Sequence, residues 1–431
     1  MKDIASYTLE ALKRAGADKA SCRVASGRKD EFNIEANQFT LMRTVFFDDI
    51  HMKALVGGRK GVIIINKSDR ASIDEAVKNC VAIARSAEPD ECEDIAPLIE
   101  NKDFDNRSGD GKADMDGLFR RTKEYLENVK EFFPKIIIES FSSHCNIGEA
   151  AYVNSNGVCF SQKNESYSFS SMFVGKDGEK SSSFNFGGAN LANMNTPFLD
   201  SGMHRRLLEE SEKSINTKML DKKFTGKIIV TPACDDMIWG TILQNFLGDR
   251  PMIEGTSRWK DALGTSVSDR KLTLRAVPLH ENIVGGQRFT IDGFATQNVD
   301  FISEGILKSF ALSLYGANKT DKPRADTSPY NLEVSAGETS LDEMIKGIDR
   351  GILLNRFSGG SPGASGDISG VAKNSFLIEN GKITDALQET MISFNILDAI
   401  KNISAISKER VNSGASILPW CCFDGITVSG K

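Results

Sequence analysis

The chain holds four histidines, His51, His144, His204 and His280, and no two of them lie within five residues of each other. A zinc-peptidase helix needs two histidines on one face, at i and i+4 or i+5, with a glutamate beside the first as general base. His280-Glu281 supplies the first half of that pattern. Asn282, Ile283, Val284, Gly285 and Gly286 follow it, and Pro278 precedes it, so the segment reads as a loop. A serine nucleophile would want a G-x-S-x-G elbow, and none is present. In SGGSPG the serine is followed by Pro362, which removes an amide that an oxyanion hole could use. His144 and Cys145 are neighbours on a strand and face apart. Cys234-Asp235-Asp236 opens a helix; the helix terminus would lower the thiol pKa and the two carboxylates would raise it again, so helix capping is the better reading.

The other stretch with chemical promise is RFSGGSPGASGDISGVAKNSFLIENGKI at 356–383, where five glycines fall between Gly359 and Gly370. It does not fit the phosphate loop, because no lysine follows Gly366 or Gly370 in register. Nor does it fit the dinucleotide turn, because a strand over Ser375 to Ile378 and a Glu-Asn-Gly turn at 379–381 follow instead of a helix. A glycine loop leading into a hairpin points to a site lined by backbone.

With 53 basic and 59 acidic residues the net charge is −6, which argues against nucleic acid as the main partner. The apolar runs are too short to cross a membrane, and the N-terminal amphipathic helix lacks the apolar core of a signal peptide, so a cytoplasmic location is expected. Eight cysteines without a C-x-x-C motif suit scattered thiols. Cys421 and Cys422 are adjacent in a strand-like run, where alternation sends them to opposite faces and disfavours a shared metal.

The elements that must position these residues predict an α+β fold, in which helix-plus-antiparallel-sheet modules precede a mostly β C-terminal domain. Residues 1–85 form the first module. Its opening helix carries Ile4, Tyr7, Ala11, Leu12 and Ala15 on one face, and strands are read at Phe32/Ile34/Ala36, Thr44 to Phe47, Met52/Ala54/Val56 and Val62 to Ile65. A second helix starts at a capping box, Ser72-x-x-Glu75. Residues 86–116 hold eleven acidic and three basic residues and read as a solvated linker. Asp103, Asp105 and Asp110 lack the spacing of a calcium loop. Residues 117–220 repeat helix plus meander, with hairpin turns at 154–157 and 175–178. Residues 221–431 begin with the strand GKIIVTP and a helix over 235–247, and include a short helix capped by Ser340 and Glu343.

NLEVSAGETSLDEMIKGIDRGILLNRFSGG, GASGDISGVAKNSFLIENGKI, ALQETMISFNILDAIKNISAIS and GITVSG, together with FISEGILKSFALSLYGANK at 301–319 and YVNSNGVCFSQKNESYSFSS at 152–171, resemble the TldD/PmbA (TldE) family, once described as modulators of DNA gyrase. The resemblance covers essentially the whole chain. TldD-like members are metallopeptidases with an H-E-x-x-x-H helix, and PmbA/TldE-like members lack it. The corresponding segment here is CDDMIWGTILQNFL, in which Trp239 and Gly240 stand where the His-Glu would fall. The resemblance therefore implies a pseudo-peptidase, the non-catalytic subunit of a zinc protease acting on peptides or unfolded chains. It implies no cofactor and no metal ligand in this chain, zinc in a TldD-like partner, and a heterodimer with that partner or a homodimer. In that picture Arg356, Ser358, Gly359, Gly360, Ser361, Gly366 and Asp367 line the substrate chamber. Two alternatives stand beside it: a self-sufficient peptidase with an unrecognised metal site, and a regulatory binding protein acting on gyrase or a toxin system.

Overall fold

In the computed structural model, residues 1–107, 111–360 and 362–430 are described. The fold is α+β, built on two large sheets. Helix α1 (Lys2–Arg14) is followed by an unusually long hairpin of β1 (Lys19–Glu35) and β2 (Gln38–Val56), then β3 (Arg59–Ile65) and α2 (Arg70–Ser86). Three strands were expected across 32–56, but two long ones run through it. Ala36 is a turn residue with φ 47° and Asn37 follows at 64°, the left-handed pair that reverses a two-residue hairpin. The buried stripe of α1 is Ala5, Thr8, Leu9, Ala11 and Leu12, rotated from the expected face so that Ile4 and Tyr7 sit at its margin. The cap of α2 also differs. Asp69 is the N-cap and accepts from the Ser72 amide at 2.9 Å, one turn ahead of the expected box.

In the acidic segment, residues from Glu93 to Asn106 are tied to the first module and to the sheet. Glu93 is buried and accepts from Lys53 Nζ at 2.7 Å and from Lys60 Nζ. Asn154 Nδ2 donates to Ala96 O at 2.8 Å. β4 (Lys102–Asn106) pairs in parallel with β6 (Cys159–Asp177). Charge pairing with the first module overrides the composition here. Asp103 and Asp105 are taken up by Lys2 and Arg107, respectively, and Asp110 lies outside the described residues.

Helix α3 (Met115–Phe132), β5 (Ile136–Asn154), β6, β7 (Lys180–Ser181), β8 (Asn185–Leu191) and α4 (His204–Lys213) follow. β1 pairs with β5 over fifteen consecutive residues, from Ser21↔Asn154 to Glu35↔Ser140, so the strands of both modules form one continuous sheet. Helices α1 and α2 pack on one end of it, and α3 and α4 on the other.

The second sheet centres on the strand Ile417–Ser429, which pairs with Phe224–Val230, Thr390–Asn395 and Ile403–Asn412. Side-chain alternation divides its residues between two cores. Ile228, Val230, Ile352, Leu354 and Cys421 face the core under the segment that follows residue 232. Ile229, Leu353 and Cys422 face the core shared with α3 and α4. The expected separation of Cys421 from Cys422 is thus realised, and the sheet is a wall with apolar packing on both faces. The Ser340–Glu343 capping box is present as expected, as is the hairpin turning at 379–381.

Candidate functional site

The segment expected as one helix over 235–247 changes pitch twice. A tight 3-10 stretch covers Pro232–Met237, an α-turn Trp239–Ile242 and a wide π-turn Leu243–Leu247, closed by Gly248 N donating to Leu243 O at 2.9 Å. The sequence explains the irregularity. Pro232 starts the stretch, Gly240 sits inside it beside β-branched Ile238, Thr241 and Ile242, and Thr241 Oγ1 bonds back to Met237 O at 2.9 Å. π-turns of this kind place side chains at positions a regular helix cannot reach. The buried edge of the segment, Ile238, Ile242 and Phe246, anchors it on the C-terminal core.

Its other edge forms one wall of a cleft of about 880 Å³. Trp239, Gly240, Leu243, Gln244 and Asn245 line that wall, and Ala364 of the glycine loop closes one end. Pro329 to Leu332, with Tyr330 70% exposed, and the turn residues Ala415 and Ser416 complete it. Asp249 lies in the cleft but its carboxylate is engaged, accepting from the Ser313 amide at 2.9 Å and from Ser313 Oγ. Arg250 and Glu254 pair with each other at the mouth.

The glycine run forms a hairpin of its own. Arg356–Gly359 pairs with Asp367–Lys373, and the loop between them reaches the π-turn, where Asn245 Nδ2 donates to Pro362 O at 2.7 Å. The glycines answer different needs. Gly366 is buried at φ 83°, against Phe246 and Ile396. Gly359 and Gly370 face each other across the hairpin under the Phe357 ring, which lies 2.4 and 2.5 Å from where their Cβ atoms would stand. Gly360 and Gly363 have open space.

Of the residues expected to line a chamber, Ser358, Gly359 and Gly360 are exposed on the first arm of this hairpin. Ser361 lies outside the described residues. Gly366 and Asp367 come together beside Asn395, whose Nδ2 donates to Asp367 Oδ1 at 2.9 Å; this bond and one from Ser365 hold the Asp367 pKa below the usual carboxylate range. Arg356 is apart from them. Its guanidinium stacks 4.4 Å from the Phe184 ring and donates to Phe184 O, tying the hairpin to the first sheet. The cleft is lined by their neighbour Ala364 and by Trp239, Gly240, Gln244, Tyr330 and Ser416. Tyr330 was missed, although an aromatic residue between Pro329 and Asn331 in a turn is a sequence signal for an exposed contact.

The lining of this cleft holds no His or Cys, and its two carboxylates are engaged, Asp249 with Ser313 and Glu254 with Arg250. From Trp239 to Asn245 the segment offers no His, Cys, Asp or Glu, and the side chains of Asp235 and Asp236 are outside the described set. Among the described residues no three His, Cys, Asp or Glu side chains are grouped to hold a metal ion. Cys421 and Cys422 are buried on opposite faces of their strand, with both thiol pKa values raised by burial. His204 is a core residue, bonded through Nε2 to Tyr125 Oη at 2.7 Å, and burial lowers its pKa to about 3.

Residues 225–430 match the family model of the PmbA/TldA metallopeptidase C-terminal domain. The chain is 21% identical to the metalloprotease PmbA of Escherichia coli O157:H7, over 94% of each chain. It is 22% identical to a metalloprotease PmbA homolog of Haemophilus influenzae, over 100% of this chain and 96% of that one. Its fold matches the crystal structure of TldE from Thermococcus kodakarensis with a TM-score of 0.88 at 18% identity, covering 99% of this chain and 100% of that one.

Proposed function

Because the chain belongs to the PmbA/TldD family of metallopeptidase-related proteins, we propose that it is the substrate-holding, non-catalytic subunit of a zinc metalloprotease completed by a TldD-like chain. The observation that carries this reading is a cleft wall without His, Cys, Asp or Glu from Trp239 to Asn245: Trp239, Gly240, Gln244 and Asn245 line the cleft along a segment bonded to the glycine loop. Exposed backbone at Ser358 to Gly360, with Ala364 at the cleft's end, gives an extended peptide main-chain partners with little demand on its sequence. The substrate is a peptide or an unfolded protein, and the zinc and the general base come from the partner.

The first sheet supplies a reason for assembly. β3 pairs with β2 only from Ile50 onward, which leaves the outer edge of residues 38–49 without a strand partner among the described residues. Six apolar side chains on that stretch are exposed: Phe39, Leu41, Met42, Val45, Phe46 and Phe47. A long apolar edge strand of this kind is a template for another chain. The TldD-like subunit covers it in this reading. No helix among the described residues is long and apolar enough to cross a membrane, and the assembly is proposed to act in the cytoplasm.

The test is proteolysis of casein by the purified chain, by an H-E-x-x-x-H paralogue, and by the two mixed, with metal analysis of each. Activity appearing only in the mixture, with zinc in the paralogue alone, is the expected result. Casein cleavage or stoichiometric zinc in this chain by itself would overturn the reading.

A further inference from the structure

A second cavity, of about 530 Å³, lies between the first sheet, α4 and the turn that joins Ile403–Asn412 to Ile417–Ser429. Its lining contains no ionisable side chain. Ser140, Ser170, Ser171, Ser413 and Ser416 share the lining with apolar residues such as Phe186, Met203 and Leu418; the Ser171 hydroxyl is bonded to Tyr125 Oη at 3.1 Å and that of Ser170 to Ser142 Oγ at 3.0 Å. A volume of this size, largely apolar with a few convergent polar groups, is typical of a small-ligand pocket. Burying a carboxylate or ammonium against such a lining leaves the charge without a partner.

Two elements line both this cavity and the 880 Å³ cleft. The irregular segment gives Pro232 and Ala233 to the cavity, and Trp239, Gly240 and Leu243 to the cleft. The turn gives Ser413 to the cavity and Ala415 to the cleft, and Ser416 borders both. That turn is held firmly. Asn190 N donates to Ser413 O at 2.8 Å, Val284 N to Gly414 O at 2.8 Å and Asn331 Nδ2 to Ala415 O at 3.1 Å. Gly414 packs so closely on Asn190 that a Cβ there would come within 2.1 Å of its carbonyl oxygen. A fixed, narrow divider between two cavities lets one extended ligand reach over it.

We propose that this cavity is a specificity pocket for a bulky uncharged side chain, aromatic or aliphatic, of the peptide whose backbone lies in the cleft; this rests on the peptide-holding reading above. Ser140 and Ser170, at exposed positions of the lining, offer hydroxyls to the peptide backbone beside that side chain, and the lining rejects acidic and basic residues. The pocket gives the subunit a substrate preference that a glycine-lined groove does not supply.

The experiment is calorimetric titration of the full chain with nine-residue Gly/Ser/Ala peptides bearing a single Phe, Asp or Lys at the central position. Ser170→Trp and Ser140→Trp, both at exposed positions, fill the cavity, and Ala364→Trp obstructs the cleft; thermal melts verify folding. The expected result is at least tenfold tighter binding of the Phe peptide than of the Asp and Lys peptides, falling below twofold in either serine variant. Equal affinity for the three peptides, or a Phe advantage that survives both serine variants, overturns the pocket. Absence of peptide binding also overturns it, and so does saturable binding of N-acetylphenylalaninamide alone, which would make the cavity a site for free small molecules. Failure of the subunit reading shows separately, in the casein assay, where this chain would be active alone.

Discussion

Asn245 Nδ2 donates to the carbonyl oxygen of Pro362 at 2.7 Å, joining the π-turn of the irregular segment to the glycine loop 117 residues later. That bond holds the loop against the end of the cleft. Asn245→Ala removes it, and the expected loss is about 1 kcal/mol of stability. A several-fold weaker affinity for peptide should accompany it, read by thermal melting and titration. Unchanged peptide affinity would mean that the loop's placement does not matter to the cleft.

Two glycines of the run should respond differently to the same change. Gly370→Ala drives a methyl group into the Phe357 ring and should cost about 1–3 kcal/mol, as overpacking does. Gly360→Ala meets open space and should be neutral within about 0.5 kcal/mol. Denaturant melts of the two variants side by side decide it, and equal effects would refute the assignment of Gly370 to close packing.

His204 sets a pH dependence. Its pKa falls from the ordinary 6.5 to about 3 because burial disfavours the charged ring. The unfolded chain therefore takes up the proton first as the pH drops. The contribution of the neutral ring is fully present above about pH 6.5 and declines through the window down to about 3, at about 1.4 kcal/mol per pH unit. His204→Gln has no such titration, so its stability should fall less steeply than that of the parent between pH 6.5 and 4. Parallel curves would show that the ring is charged in the fold.

On the outer edge of β2, Phe46 is 75% exposed. Phe46→Asp should leave the melting temperature of the isolated chain unchanged and abolish co-elution with a TldD-like subunit in size exclusion with light scattering. Intact co-elution would place the partner surface elsewhere.

Thiol reactivity should sort the cysteines by depth. Burial pushes the Cys22 thiol up to about 12 and those of Cys80 and Cys145 up to about 11. Cys92 and Cys159 are the partly exposed ones. In native protein a thiol reagent should label Cys92 and Cys159 promptly and the others only after denaturation, as peptide mapping would report.

Much of this architecture was legible from local chemistry. Alternation in LPWCCFDGITV placed Cys421 and Cys422 on opposite faces, and those faces belong to different cores. Ser340 with Glu343 marked a helix start, and Asn-Gly marked the 379–381 turn. These features depend on residues within a few positions of each other. In the acidic run, composition says nothing of Lys53 and Lys60, which neutralise Glu93 from the first module.

The sequence by itself determined that the segment after GKIIVTP carries no His-Glu pair, because the presence of donors is a matter of residue identity. It also determined that the glycine run is not a phosphate loop and that it leads into the hairpin turning at 379–381, whereas the fold decided that the run forms a hairpin of its own. Only the tertiary structure decided that the run ends against the π-turn, that Arg356 leaves it to stack on Phe184, and that a cleft and a serine-lined cavity meet at Ser416. Those relations join residues 117, 172 and more positions apart. They arise from how two sheets pack across a shared core, which no local pattern encodes.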